Sequence, residues 1–122
     1  MNSAGQAVLA TSATALIGAF PSVMFTAIDG DVDFDGALVH KITCIQGGCE
    51  FQLSIADNLA GATSAGMTPG VALGVGSAGT SGQWKVAAQG EQIVGFVGQD
   101  GADTVKGVVN VIVPQGINPA KP

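Results

Sequence analysis

The sequence predicts an all-β protein, a small antiparallel β-barrel or sandwich with extended N- and C-terminal arms. Three observations predict it. Between Trp84 and Val113 apolar and polar residues alternate in short runs, the two-residue period of strands with one buried face. Asp100-Gly101 interrupts these runs with a pair suited to the positive φ of a two-residue type I′ turn. Gly supplies 19 of the 122 residues and only 11% are charged, against about 25% in ordinary soluble domains.

A chain of 122 residues fits one domain with a single core. The reading divides it into a first apolar segment or arm (1–27), a β-domain (28–113) and a Pro-rich tail (114–122). Residues 4–20, AGQAVLATSATALIGAF, are the most apolar opening, yet no Lys or Arg precedes them, so the basic start of a secretory signal is missing. Thr11, Ser12 and Thr14 interrupt the segment, and Gly18 and Pro21 cut it short of the roughly 20 apolar residues a membrane helix needs. Leu9, Ala13, Leu16 and Phe20 keep a helical spacing, while an extended arm stays open. In either form these residues need a surface, from the chain's own core or from a neighbouring subunit.

The densest charge follows in Ile28-Asp-Gly-Asp-Val-Asp-Phe-Asp-Gly36. Asp31, Asp33, Asp35 and Gly36 match positions one, three, five and six of a calcium-binding loop of the EF-hand type, but its twelfth position is Ile42 where the bidentate Glu belongs. As a strand, the same run sets Asp29, Asp31, Asp33 and Asp35 on one face and Val32 and Phe34 on the other. Three readings stand: a solvated acidic edge or turn, which is favoured, a salt-bridged contact with a partner, and a calcium site.

Leu38–Ile45 and Glu50–Leu53 read as a hairpin around Gly47-Gly48. His40 lies in its first strand with no second His and no nucleophile at a motif spacing, so it reads as a strand residue rather than a base. Cys44 and Cys49 flank the turn; small buried thiols are favoured over a hairpin disulfide, and two cysteines do not complete a thiolate zinc site.

Ala56–Pro69 is rich in Ala, Gly, Ser and Thr and reads as a long loop; Val71–Val75 is a short strand and Gly76–Gly82 a connector. The glycines around Gly70 and Gly76 lack the spacing of a phosphate-binding or dinucleotide loop. Trp84–Ala88 is the next strand, and a three-residue loop Gln89-Gly90-Glu91 sets Trp84 opposite Phe96 and Val86 opposite Val94. With Asp100-Gly101 as the next turn, Phe96 faces Val105 and Val97 faces Thr104. Val94, Phe96, Val105, Val109, Val111 and Val113 then share the apolar face, and Thr104, Lys106 and Asn110 the polar one. Three prolines in 114–122 keep the tail out of a central sheet and lower the entropy it loses on docking to a neighbour.

Function classes narrow with charge. Nine acids outnumber Lys41, Lys85, Lys106 and Lys121, for a net charge of −5. Scattered lysines without Arg are not the basic cluster that displaces counterions from phosphates, so nucleic acid is excluded as a direct partner. The clustered aspartates do not separate an acid from a base by spacing alone, and the chain is read as non-enzymatic, with no cofactor beyond the calcium alternative.

The progression Gln89-Gly-Glu-Gln-Ile-Val-Gly-Phe-Val-Gly98, Asp100-Gly-Ala-Asp-Thr-Val105 and Gly107-Val-Val-Asn-Val-Ile-Val113 resembles the small Gly/Ala/Val-rich β-barrel decoration, or cement, proteins of tailed-phage heads. The resemblance covers the last third to half of the chain. It implies a homotrimer on the outside of the virion, bound to the major capsid protein and stabilising its lattice, with no catalytic residue to carry over. Asp29, Asp31, Asp33, Asp35, Trp84 and the two tails are then the contact candidates, although Trp84 is first expected in the core beside Phe96. The alternative from another class is a calcium-assisted module that binds a host receptor or glycan.

Overall fold

β-Branched and aromatic residues set the strands of this chain, and glycines with side-chain caps end them. A computed structural model describes residues 23–32, 38–45, 48–76, 79, 80, 82–115 and 119–122, with the backbone alone over 23–32 and 38–45. Its strands are β1 (Val23–Val32), β2 (Leu38–Ile45), β3 (Cys49–Ser54), β4 (Ala72–Val75), β5 (Trp84–Val86), β6 (Gly95–Asp103) and β7 (Val108–Val113). A four-residue helix, α1 (Ile55–Asn58), and a 3-10 turn at Ala60–Ala62 follow β3. The described protein is all-β. β1 and β2 pair antiparallel as a ribbon, and the remaining strands form one antiparallel sheet in the order β3-β7-β6-β4-β5. Among the described residues this sheet keeps two edges, β3 and β5, and no strand closes it into a barrel.

Side-chain alternation separates its two faces. Leu53, Val109, Val111, Val113, Val97, Leu73, Val75 and Trp84 turn inward and are buried, and Leu59 and Met67 from the β3–β4 connection cover them. That connection starts on a well-made cap: Ser54 Oγ accepts from Asp57 N at 3.3 Å, and Asn58 Oδ1 accepts from Ser54 N at 2.9 Å. Capping of this kind meets donors that the first helical turn leaves open. Residues 56–69, expected as a loop, thus begin in α1 and the 3-10 turn. Leu59 then makes a parallel bridge to Trp84 along the edge of β5.

Phe51 on β3 and Trp84 on β5 meet edge to face, with ring centroids 6.2 Å apart and planes at 80°. Three strands separate β3 from β5, a flat-sheet distance of about 19 Å at roughly 4.8 Å per step. The sheet must therefore curl strongly around its inner face. Gly95 permits part of this curl, because a Cβ there would stand 2.9 Å from Ile112 O and 3.0 Å from the Trp84 ring.

Three expected pairings are corrected. β2 and β3 have the expected positions but are not partners: β2 pairs with β1 and β3 with β7, so Cys49 lies opposite Val113 and is a free thiol. β5 and β6 are not partners either, since β4 lies between them; Trp84 pairs with Val75 and Val86 with Leu73. In the β6–β7 hairpin the turn is not at Asp100-Gly101. β6 runs through that pair to Asp103, with Val97 opposite Val111 but Ala102 opposite Val109, so extra β6 residues are absorbed as a bulge. Gly101 provides the positive φ there, +62°. Asp103 makes the actual turn, its Oδ1 accepting from Val105 N at 3.1 Å and Lys106 N at 3.0 Å, a local bond pattern Asp is suited to. Val105 is consequently 97% exposed, and Phe96 pairs with Ile112 rather than facing Val105 or Trp84.

At the ends, β1 starts at Val23, inside the segment expected as an arm, and 1–22 lie outside the described residues. The last residues dock on their own chain: Lys121 N donates to Glu91 O at 2.8 Å, Ile93 N to Pro119 O at 2.9 Å, and Lys121 Nζ to Ala87 O at 2.7 Å. Gly95→Ala should lower stability by about 1–3 kcal/mol, the usual cost of overpacking, although Ala ordinarily outperforms Gly in a strand. The urea midpoint and slope measured beside wild type check this.

Candidate functional site

The outer face of the curled sheet carries its own set of side chains across β3, β7, β6 and β4. Its side chains are the ones that alternate with the core set. One cross-strand row runs Glu50, Ile112, Phe96, Ala72, and the next begins Gln52, Asn110. Ile112 is 40% exposed; Phe96, Ala72 and Val108 are half-buried, and Glu50 and Gln52 are exposed. An apolar centre is thus set in a polar surround.

Asn110 ties that surround together. Its Nδ2 donates to Glu50 Oε1 at 3.3 Å and to Asp100 Oδ2 at 3.2 Å, linking β3, β7 and the β6 bulge. A Cβ on Gly98 would lie 3.2 Å from both Asn110 Cβ and Glu50 Oε1, so the small residue leaves room for this bridge. Beside it a cleft of about 190 Å³ is lined by Gln52, Asp100, Gly101, Asp103, Lys106, Val108 and Asn110. A shallower depression of about 370 Å³ has Thr63, Ser64 and Thr104 among its walls. Among the described residues no group of three or more His, Cys, Asp or Glu is placed to hold a metal.

The sequence-derived candidates are not brought together on this face. Asp29 and Asp31 lie in β1, where one extra residue between Ile28 and Asp31 breaks the regular register against Lys41 and Val39. Strands rather than helices flank this acidic run, and Ile42, at the twelfth position of the calcium-loop match, is in β2 opposite Ala27. Asp33 and Asp35 lie outside the described residues. Trp84 is on the inner face and 6% exposed. Sequence reasoning placed Asn110 on the polar face but named neither Ile112 nor Glu50 as a contact; the spacing Val108-x-Asn110-x-Ile112 carries the signal, with Val109, Val111 and Val113 assigned inward.

A second charged cluster fastens the tail. Lys85 Nζ meets Glu91 Oε1 at 2.6 Å, and Glu91 Oε2 accepts from Ala88 N at 2.8 Å. Partial burial pushes the Glu91 carboxyl up, but the Lys85 hydrogen bond, the Ala88 N–H and the charges of Lys85 and Lys121 outweigh it and hold the group below its ordinary value. No family model, curated protein or solved structure matches the chain. Among the described residues no helix is long and apolar enough to cross a membrane.

A depressed carboxyl pKa in the folded state gives stability that is present above the unfolded value and lost as pH falls through the folded one. Glu91→Gln should therefore cost about 1 kcal/mol at pH 7, a difference that shrinks as pH falls through the lowered folded pKa and the wild-type carboxyl is itself neutralised. Urea unfolding of both proteins from pH 7 downward tests this, the two stabilities drawing together as the pH falls.

Proposed function

We propose that the protein is a non-enzymatic structural binding protein: a decoration, or cement, protein that sits as a homotrimer on the outside of a tailed-phage head and stabilises the lattice of the major capsid protein. The observation that carries the reading is the outer sheet face, with Ile112, Phe96 and Val108 inside a surround of Glu50, Gln52, Asn110, Asp100 and Asp103. An apolar centre with a polar rim is the anatomy of a protein–protein interface. The 11% charge content supports it, since surface buried between subunits need not be solvated. So does the resemblance of residues 89–113 to cement proteins.

The mechanism requires no chemical step. A protein that binds the assembled lattice and not its separated subunits stabilises the lattice by its own binding free energy, repeated at every site. The acidic balance, −5, suits a basic surface on the shell better than nucleic acid. Asp29, Asp31, Asp33 and Asp35 serve in this reading as contacts to that surface.

Co-sedimentation with purified shells that lack this protein tests the proposal. Saturable binding that raises the temperature of shell disruption, with or without a calcium chelator, is the expected result. Ile112→Glu should weaken that binding by about tenfold or more, the loss of about 1.4 kcal/mol or more when an anchor is removed. It should leave the circular dichroism unchanged, because Ile112 is 40% exposed. Absence of binding to shells overturns the reading, and binding abolished by chelator turns it toward the calcium-assisted receptor- or glycan-binding module with Asp31, Asp33 and Asp35 as ligands.

A further inference from the structure

Register decides which backbone groups of β3 are open. Ile55 N–H donates to Gly107 O at 2.8 Å, and with the pairs Cys49–Val113, Phe51–Val111 and Leu53–Val109 this sets the odd-numbered residues as those exchanging hydrogen bonds with β7. In an antiparallel ladder the intervening residues direct N–H and C=O the other way. Glu50, Gln52 and Ser54 therefore present theirs to the free edge. The Ser54 N–H is taken by Asn58 Oδ1 at 2.9 Å. Those of Glu50 and Gln52 have no partner among the described residues.

The two edges of the sheet are treated differently. β5 is three residues long, carries Lys85 and has Leu59 bridged along it, all devices that blunt an edge. β3 is six residues long, regular in register, and contains no Pro, Lys or bulge. A strand of that kind accepts another strand.

We propose that β3 pairs with β3 of a second copy of this chain, antiparallel about a two-fold axis through Phe51. The occupant follows from self-complementarity. With Glu50 opposite Gln52 of the second copy, each N–H and C=O of Glu50 and Gln52 meets its counterpart, so the open groups satisfy one another completely. The same register sets Glu50 opposite an amide rather than a second carboxylate, avoiding the like-charge pair that destabilises a ladder. It sets Phe51 opposite Phe51 and Cys49 opposite Leu53 on the inner side. The ladder stops where Asn58 already holds the Ser54 N–H. Such a contact is isologous and closes at two copies. It goes beyond the capsid reading, needs no shell, and leaves other surfaces free for a three-fold assembly.

The test uses the full chain in a Cys44→Ala, Cys49→Ala background, with Glu50→Cys and Gln52→Cys made separately and one of the two isotope-labelled. Opposed residues in this register lie within disulfide reach, about 5.5 Å between Cα atoms, whereas two copies of position 50 stand about 8 Å apart, beyond it. Mixed and oxidised, the two chains should give crossed disulfide dimers at least ~5-fold in excess of either self-dimer, read by intact mass. Sedimentation equilibrium of wild type should show a concentration-dependent dimer component, lost on Gln52→Pro, which removes an outward N–H while leaving the bonds to β7. Equal yields of crossed and self-dimers overturn the proposal. So does a wild-type chain without a two-fold component, or one whose association survives a folded Gln52→Pro variant. If Gln52→Pro does not fold, the crossed disulfide decides. A Gln52→Pro monomer that is less stable, with no crossed dimer formed, would instead assign the β3 edge to the chain's own β1–β2 ribbon.

Discussion

The meeting of Phe51 and Trp84 is the constraint on which the rest of this structure depends. The two residues sit on opposite edge strands, so their contact at 6.2 Å fixes how far the sheet curls and which side of it is inside. The edge-to-face term itself is modest, about 0.5–1.5 kcal/mol. Burying a large apolar side chain contributes more, about 1.5–3 kcal/mol each, and Trp84 is 6% exposed while Leu59, bridged to it, is fully buried. Burial thus drives the curl, and the ring geometry selects its shape. Small residues make the shape attainable: Gly95 under the indole, and Gly74, whose Cβ would lie 3.3 Å from Ala87 Cβ.

Curvature of this kind explains why one side of the sheet is finished and the other is not. The inner face has a connection laid over it, with Leu59 and Met67 buried against the strands. The tail is fastened to residues 87–93 through Glu91 and Lys121, while Ile112 in the middle of the outer face is 40% exposed. The tail with three prolines was expected to be extended, and within it Ala120 bridges Gln92 of its own chain. Proline keeps such a segment out of a long ladder, but a single bridge flanked by Pro119 and Pro122 needs only the Lys121 N–H, which Glu91 O accepts.

Strand identity was largely legible in the sequence, and strand partnership was not. Leu38–Ile45, Trp84–Val86 and the Val-rich β7 stand where alternation and branched residues place them, because those signals are local. The β6–β7 turn was misplaced for a definite reason: Asp-Gly meets the dihedral needs of a type I′ turn and equally those of a bulge. Asp103 competes with it through two backbone hydrogen bonds, and Gly107 at φ +70° completes the competing turn. The string Asp103-Thr-Val-Lys-Gly107 carries that chemistry openly, but weighing it against Asp100-Gly101 needs the packing of Gly101 near Pro69, where a Cβ would approach to 3.3 Å. Insertion of β4 between β5 and β6 is a non-local choice and leaves no local mark. Phe96 was hidden by the same slip, since a shift of register moves it from one face to the other, whereas Asn110 already fell on the polar face opposite Val109 and Val111.

Alternation also has a consequence for what a chain this poor in charge must do with its second face. Each inward Val of β7 is matched by an outward neighbour, and those neighbours are Val108, Asn110 and Ile112 rather than Lys or Glu. A solvated sheet face ordinarily alternates hydrophobic-in with polar-out; here one polar residue in three positions keeps that rule. Asn110 is held in place through Glu50 and Asp100, so that position is ordered by the chain itself. Pre-ordered side chains lose less entropy on association, and the apolar pair Ile112 and Phe96 lies between β3, the open edge, and β4. Glu50 belongs to both face and edge, its side chain in the outer row beside Ile112 and its backbone N–H and C=O on the side away from β7. The face and the edge thus make one continuous surface, set up by the strand order β3-β7-β6-β4 and by the glycines that let the sheet bend.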